Sequence, residues 1–239
     1  MKLAWATATL VALLSRPYGT HAQSNDDYNQ NITLRFFTSS QTDTCDYGNS
    51  STALTFTTSS FPVVGKCFNV ADLFGGNATT GYVNQTRNVL GSARKDNPGI
   101  HWLLENKDAY DPSANYSSML YRQHVQNPAS DAYKPGHFAN RWITVYGGVN
   151  CSELDPTAKK DEKKPLLPWF GWSCFSEGQG SCGDTPYNIA SFYVNPVENS
   201  RSGTCWDFAY MGAAASIRVG SGVVMGALAG VVVAVWGVL

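Results

Sequence analysis

The chain has 239 residues, with 17 Lys and Arg against 18 Asp and Glu. That near balance implies no basic surface of the kind that binds nucleic acid. The length suffices for one domain with a real hydrophobic core.

The N-terminus opens with Met1-Lys2, an apolar run over residues 3–14, a break at Arg16-Pro17, and Thr20-His21-Ala22 before Gln23. This layout predicts a secretory signal peptide over residues 1–22. Its competitor, a membrane anchor, needs roughly 20 apolar residues and is not matched by so short a run. Residues 23–30 are polar and predict a loose start to the domain.

Residues 31–39 (NITLRFFTS) alternate apolar and polar side chains and predict a half-buried strand, and residues 53–59 (ALTFTTS) repeat the pattern. Ile100, Leu103 and Leu104 give residues 98–110 the spacing of a short helix, while residues 118–125 (SMLYRQHV) fit helix or strand. Residues 141–146 (RWITVY) are β-branched and aromatic and predict a strand. Residues 159–164 (KKDEKK) form a charge block, read as a solvated loop. Residues 169–175, 189–194 and 204–210 predict further strands among the later cysteines. Together these predict a mainly β, disulfide-stapled, sandwich-like single domain with one or two short helices.

The C-terminus carries small residues at Gly212-Ala213-Ala214-Ala215-Ser216, a short spacer with Arg218, and an apolar tail over residues 223–239. This is the layout of a glycosylphosphatidylinositol (GPI) attachment signal, with Gly212 as the anchored residue ahead of Ala213 and Ala214, and residues 213–239 as a removed propeptide. The alternative is a retained transmembrane helix over residues 219–239, in which Gly222, Gly226 and Gly230 would form a helix-packing face. The absence of a following Lys or Arg favours the GPI signal. Residues 23–212 are then the mature domain. Without Lys2, Arg16 and Arg218 it holds 14 positive and 18 negative charges, net −4.

The domain holds six cysteines: Cys45, Cys67, Cys151, Cys174, Cys182 and Cys205. An even number in an exported chain predicts three disulfides, and the spacing leaves 15 pairings open. Pairing neighbours along the chain would close loops of 22, 23 and 23 residues, a regularity that points to Cys45–Cys67, Cys151–Cys174 and Cys182–Cys205. The spacing fits no metal site. Six Asn-x-Ser/Thr sequons, at Asn31, Asn49, Asn77, Asn84, Asn115 and Asn150, predict exposed loops or edges carrying glycans. Asn150 is the weakest of them, because Cys151 stands at its middle position.

No catalytic constellation emerges. The domain's histidines are His101, His124 and His137, and no G-x-S-x-G elbow accompanies them. His101, beside Trp102, reads as a packed histidine. Glu105, Asp111, Glu177, Asp184 and Asp207 could supply the carboxylate pair of a glycosidase, but nothing in the spacing pairs them, and Asp111 and Asp184 read as turn residues. Gly178 to Gly183 lacks the lysine of a phosphate loop and reads as a turn beside a disulfide. Aromatic residues chiefly predict core. The stretch Trp169-Phe170-Gly171-Trp172 is the place for a ligand surface if they do not, with Trp169 and Trp172 as the candidate binding residues. No catalytic residue, cofactor or metal is indicated.

Asp111-Pro112-Ser113-Ala114-Asn115-Tyr116 followed by Tyr121-Arg122-Gln123 forms one recognisable stretch. Pro168-Trp169-Phe170 leading to Ser173-Cys174, Cys182, Ile189, Ser191-Phe192 and Cys205-Trp206 forms another. Together they resemble uncharacterised secreted or GPI-anchored proteins of filamentous fungi, over most of residues 31–210. The resemblance implies a fungal, exported, cell-surface protein and carries over no catalytic or binding residue. The expected function is a GPI-held surface glycoprotein in surface interaction or wall structure, partnered by the membrane through its lipid and by wall or host glycans. The alternative is a secreted carbohydrate-active enzyme or glycan-binding module, and a small secreted effector is a third class.

Overall fold

The computed structural model describes residues 30–38, 45–86, 98–158, 165–196 and 203–212. The proposed signal peptide, the charge block at 159–164 and the C-terminal tail lie outside the described residues. So does the polar start of the domain, apart from Gln30, which is buried.

Two antiparallel sheets face each other. The first runs in the order β4 (Thr80–Asn84), β5 (Gly99–Glu105), β2 (Leu54–Thr58), β1 (Ile32–Phe37), β6 (Ser118–Gln123), β9 (Ser181–Asp184). The second runs β11 (Ala209–Met211), β8 (Trp169–Cys174), β7 (Phe138–Tyr146), β10 (Ser191–Asn195), β3 (Lys66–Asn69). One α-helix, α1 (Val70–Phe74), follows β3, and short 3-10 turns occupy Lys107–Ala109, Asp131–Tyr133 and Val149–Cys151. The fold is thus the mainly β sandwich that the alternating patterns predict.

Strand alternation builds the core. Ile32, Leu34 and Phe36 of β1 point inward and are fully buried. Phe192 of β10 enters from the opposite sheet, its ring 4.9 Å from Phe56 and 5.7 Å from Phe36 across the interface, and stacks at 5.5 Å on Phe68 of its own sheet. Trp172 of β8 stacks on Tyr121 of β6 at 5.6 Å. These contacts between sheets hold the sandwich closed, because each sheet alone would leave one apolar face in water. The other face of β1 is buried too. Phe37 packs there with Ala53 and Leu120, with Cys45 and Tyr47 against them.

Two expectations need correcting, and one open reading is resolved. The disulfides are Cys45–Cys182, Cys67–Cys151 and Cys174–Cys205, with separations of 137, 84 and 31, so neighbours along the chain do not pair. In a sandwich whose chain alternates between sheets, spatial neighbours come from distant segments. Each bridge stabilises by roughly 4–5 kcal/mol on the chain-entropy model. Residues 98–110 hold strand β5, not a helix: Ile100, Trp102 and Leu104 alternate inward, and Leu103, which fitted the helical spacing, is 42 % exposed. Residues 118–125 resolve to strand β6. Disulfide pairing marks an exported, oxidised protein. Among the described residues no helix is long and apolar enough to cross a membrane.

Candidate functional site

The outward face of the second sheet gathers aromatic rings. On β7, Ile143 and Val145 enter the core, so Trp142, Thr144 and Tyr146 face out. On β8, Phe170 and Trp172 enter the core, so Trp169, Gly171 and Ser173 face out. On β10, Phe192 and Val194 enter, so Tyr193 and Asn195 face out. The pairings Thr144 with Gly171 and Thr144 with Tyr193 align the three strands.

Trp206 completes the face from the loop before β11. Its backbone N donates to Ser173 Oγ at 2.8 Å, its carbonyl accepts from Ser173 N at 2.8 Å, and Cys205 beside it is bridged to Cys174. The result is a row of four half-buried rings. Trp142 meets Trp206 edge-on at 5.6 Å, Trp206 lies 6.3 Å from Trp169, and Trp169 lies 6.3 Å from Tyr146. A Cβ on Gly171 would come within 3.2 Å of Thr144 Cγ2 and 3.6 Å of Trp169 Cζ3, so glycine keeps the floor beneath the row low.

Polar groups edge the row. The Thr144 hydroxyl donates to Tyr146 Oη at 3.2 Å. Burial raises the Tyr146 pKa, partly offset by that hydrogen bond, so its hydroxyl stays protonated at neutral pH. Burial also pushes the neighbouring Tyr187 phenol well up, and its hydroxyl donates to Pro168 O at 2.8 Å. Asn195, opposite Trp142 in the register, is 8 % exposed, and its Nδ2 has no acceptor among the described residues. Gly212 ends the described chain beside the row: a Cβ there would stand 3.0 Å from Trp169 Cδ1 and 3.2 Å from Glu153 Oε2.

All six sequon asparagines are exposed, as expected. Asn84 lies in β4 and Asn31 adjoins β1, both of the first sheet. Asn49, Asn77 and Asn115 lie in loops, and Asn150 lies in the Val149–Cys151 turn. No strand of the second sheet carries a sequon. The aromatic face is therefore free of glycan attachment on its own strands.

The two sequence candidates part company here. Trp169 stands in the row, whereas Trp172 is 1 % exposed in the core, its Nε1 donating to Ser181 Oγ at 3.1 Å. Trp206, Trp142 and Tyr146 were not singled out, although strand parity in RWITVY already separates Trp142 and Tyr146 from Ile143 and Val145. His101 is exposed and stacked on Tyr82 at 4.3 Å, which corrects its reading as a packed histidine. It faces out because Ile100 and Trp102 take the inward positions of β5.

The carboxylates are scattered over the fold. Glu105 ends β5, Asp184 ends β9, Glu177 is exposed in the turn before β9, and Asp207 accepts from the Ser181 hydroxyl. Asp111 accepts from Ser113 N at 2.8 Å and Ser113 Oγ at 2.7 Å, the turn expected of it. Those bonds hold its pKa below the usual carboxylate range. A surface depression of about 500 Å³ lined by Thr52, Thr79, Leu104, Asn106 and Lys107–Ala109 holds one carboxylate, Asp108, so it lacks the pair that glycoside hydrolysis needs. Among the described residues no group of three His, Cys, Asp or Glu could hold a metal ion.

Set against known protein families, curated proteins and solved structures, the chain matches none of them.

Proposed function

We propose that the protein is an exported surface glycoprotein, held by a GPI anchor at Gly212, that binds a neutral surface polysaccharide on the Trp142–Trp206–Trp169–Tyr146 row without cleaving it. The observation that carries this reading is the row itself, four half-buried rings on the sheet whose strands hold no sequon. Pyranose rings present flat C–H faces that pack on aromatic faces, and sugar hydroxyls need donors and acceptors at the edge. The half-buried Tyr146 hydroxyl, which accepts from Thr144, offers such a group at the end of the row.

A sugar face on each ring is taken to contribute about 1 kcal/mol, the scale of an aromatic–aromatic pair. A short oligosaccharide therefore binds with a dissociation constant near the millimolar range, ~4 kcal/mol. A polymer met by many anchored copies is held far more tightly through effective concentration. The β11–β8 pairing ends at Met211, one residue before the proposed anchor, so the domain would sit on its lipid without a stalk.

Depletion of the secreted chain by insoluble β-glucan and by chitin tests this reading. Wild type should be depleted by at least one polymer, and the Trp169→Ala, Trp206→Ala double variant should stay in solution. Equal depletion of both proteins, or no depletion of either, overturns it.

A further inference from the structure

The opposite sheet carries a different feature on its outward side. Arg35 of β1 and Arg122 of β6 are diagonal neighbours there, because the register sets Arg35 against Leu120 and Thr33 against Arg122. Both guanidinium groups lie over one ring. The Arg35 Cζ is 4.4 Å and the Arg122 Cζ 4.1 Å from the centroid of Tyr47. Tyr47 is fastened over the sheet by its own segment: Cys45 is bridged to Cys182, and Tyr47 N donates to Gln179 O at 2.9 Å.

Arg35 is 6 % exposed. Its Nη1 donates to Tyr47 O and to Ser50 Oγ, both at 2.7 Å, and its buried Nε has no acceptor among the described residues. Arg122 is half-buried, with Nε donating to Gly178 O at 2.7 Å. Burial weakens the hold of Arg122 on its proton, an effect partly offset by the Tyr47 phenol and reinforced by the charge of Arg35.

Among the described residues neither arginine has a carboxylate in ion-pair range; the ion pairs there are Lys107–Asp108 and Lys134–Asp131. Asp46, on the same segment, accepts instead from Asn49 N at 2.8 Å and Asn49 Nδ2 at 2.9 Å. Two neighbouring guanidinium ions withdrawn from water without a counter-charge are costly. Their forked donors match the oxygens of a carboxylate, sulfate or phosphate.

Two further groups border the pair. His124 Nδ1 lies 3.1 Å from Ser176 O, and since a carbonyl only accepts, Nδ1 carries the proton. Its Nε2 is then on the Gly178 side, 3.8 Å from where a Cβ of Gly178 would stand. Gln179 Oε1 accepts from Gly48 N at 2.9 Å, which leaves its amide nitrogen as a donor.

We infer that Arg35 and Arg122, held over Tyr47, form a binding site for an oxyanion carried by an acidic glycan, on the sheet opposite the aromatic row. This inference does not depend on the function proposed for that row.

The test is thermal unfolding of the secreted, glycosylated chain in sodium sulfate, phosphate or glucuronate, each compared with sodium chloride at equal ionic strength. A ligand that binds the folded state raises Tm along a saturable curve. Sulfate and phosphate also stabilise proteins by exclusion from their surface, so the deciding quantity is the difference between wild type and Arg122→Gln. Arg35 is too deeply buried to serve, whereas Arg122 is half-exposed. Arg122→Gln should weaken the apparent affinity at least about tenfold through loss of charge-assisted bonds. Lys134→Gln, an exposed change in the Asp131–Tyr133 turn region, should respond as wild type. A larger response to glucuronate than to sulfate or phosphate identifies a uronic acid as the source, and the reverse identifies an ester. If Arg122→Gln responds to all three anions as wild type does, the inference fails, and the stack on Tyr47 serves only to fasten the Cys45–Ser50 segment.

Discussion

Trp169 and Trp172 stand three residues apart on β8 and on opposite faces of it, one in the outward aromatic row and one stacked on Tyr121 in the core. Their truncations should therefore fail in different ways. Trp172→Ala removes a fully buried ring and should cost about 3–5 kcal/mol. At ~2–4 °C per kcal/mol for a domain of this size, Tm should fall by roughly 6–20 °C. Trp169→Ala should cost about 1 kcal/mol or less while weakening polysaccharide binding about tenfold. Calorimetry beside a depletion assay separates the two, and a large stability loss in Trp169→Ala would place it in the core instead.

The disulfide pattern is open to direct chemistry. Non-reducing peptide mapping should recover Cys45 with Cys182, Cys67 with Cys151, and Cys174 with Cys205. Replacing Cys45 and Cys182 by serine should lower Tm by about 8–20 °C, since that bridge closes the longest loop. It should also raise hydrogen exchange in the segment carrying Tyr47. Any pairing of Cys45 with Cys67 contradicts the sandwich described above.

Alkaline pH should unfold the protein through Tyr187. Burial raises its phenol above the ordinary value near 10, because the charged form is poorly solvated against Phe170, with only the carbonyls of Val145 and Pro168 beside its oxygen. The unfolded chain then releases the proton first, so stability is intact below about pH 10 and falls as pH rises above it. Tyr146 is shifted in the same direction and adds to the fall. Tyr187→Phe should flatten the loss of Tm between about pH 10 and 11.5. At neutral pH it should cost about 1–3 kcal/mol, because Pro168 O loses its donor. An unchanged alkaline slope would mean that the Tyr187 phenol titrates as it does in water.

Much of the sandwich is legible in the chain, and the reason is local. β1 and β2 alternate apolar and polar residues, while β7 and β8 are rich in β-branched and aromatic residues, and both signals are set by the residues themselves. β4 is less so: with Gly81 and Asn84 it has few inward apolar positions, and Trp102 fills the space over Gly81. The helical spacing in residues 98–110 arises because Leu103 is apolar yet exposed. Ligand-facing features needed the fold. Trp142 and Trp206 are 64 residues apart in the chain and meet only through the β7–β8 pairing and the Cys174–Cys205 bridge. Arg35 and Arg122 meet only through the β1–β6 register. Parity alone, applied to Trp169-Phe170-Gly171-Trp172, would have separated the two tryptophans.

Asn150 should be the least glycosylated of the six sequons. Its backbone N donates to Asn69 Oδ1 at 2.7 Å, and its Oδ1 accepts from Asn69 Nδ2 at 3.0 Å. Asn150 and Cys151 both adopt left-handed backbone, with φ of 56°, and Cys151 is bridged to Cys67. A transferase acts on an extended, unfolded sequon, so early closure of that bridge withdraws Asn150 from it. Glycopeptide mass spectrometry should find the other five sites occupied and Asn150 largely bare. Replacing both Cys67 and Cys151 by serine keeps an Asn-Ser-Ser sequon while removing the bridge, and occupancy at Asn150 should then rise. Full occupancy at Asn150 in the wild-type chain would show that the Cys67–Cys151 bridge closes only after glycan transfer.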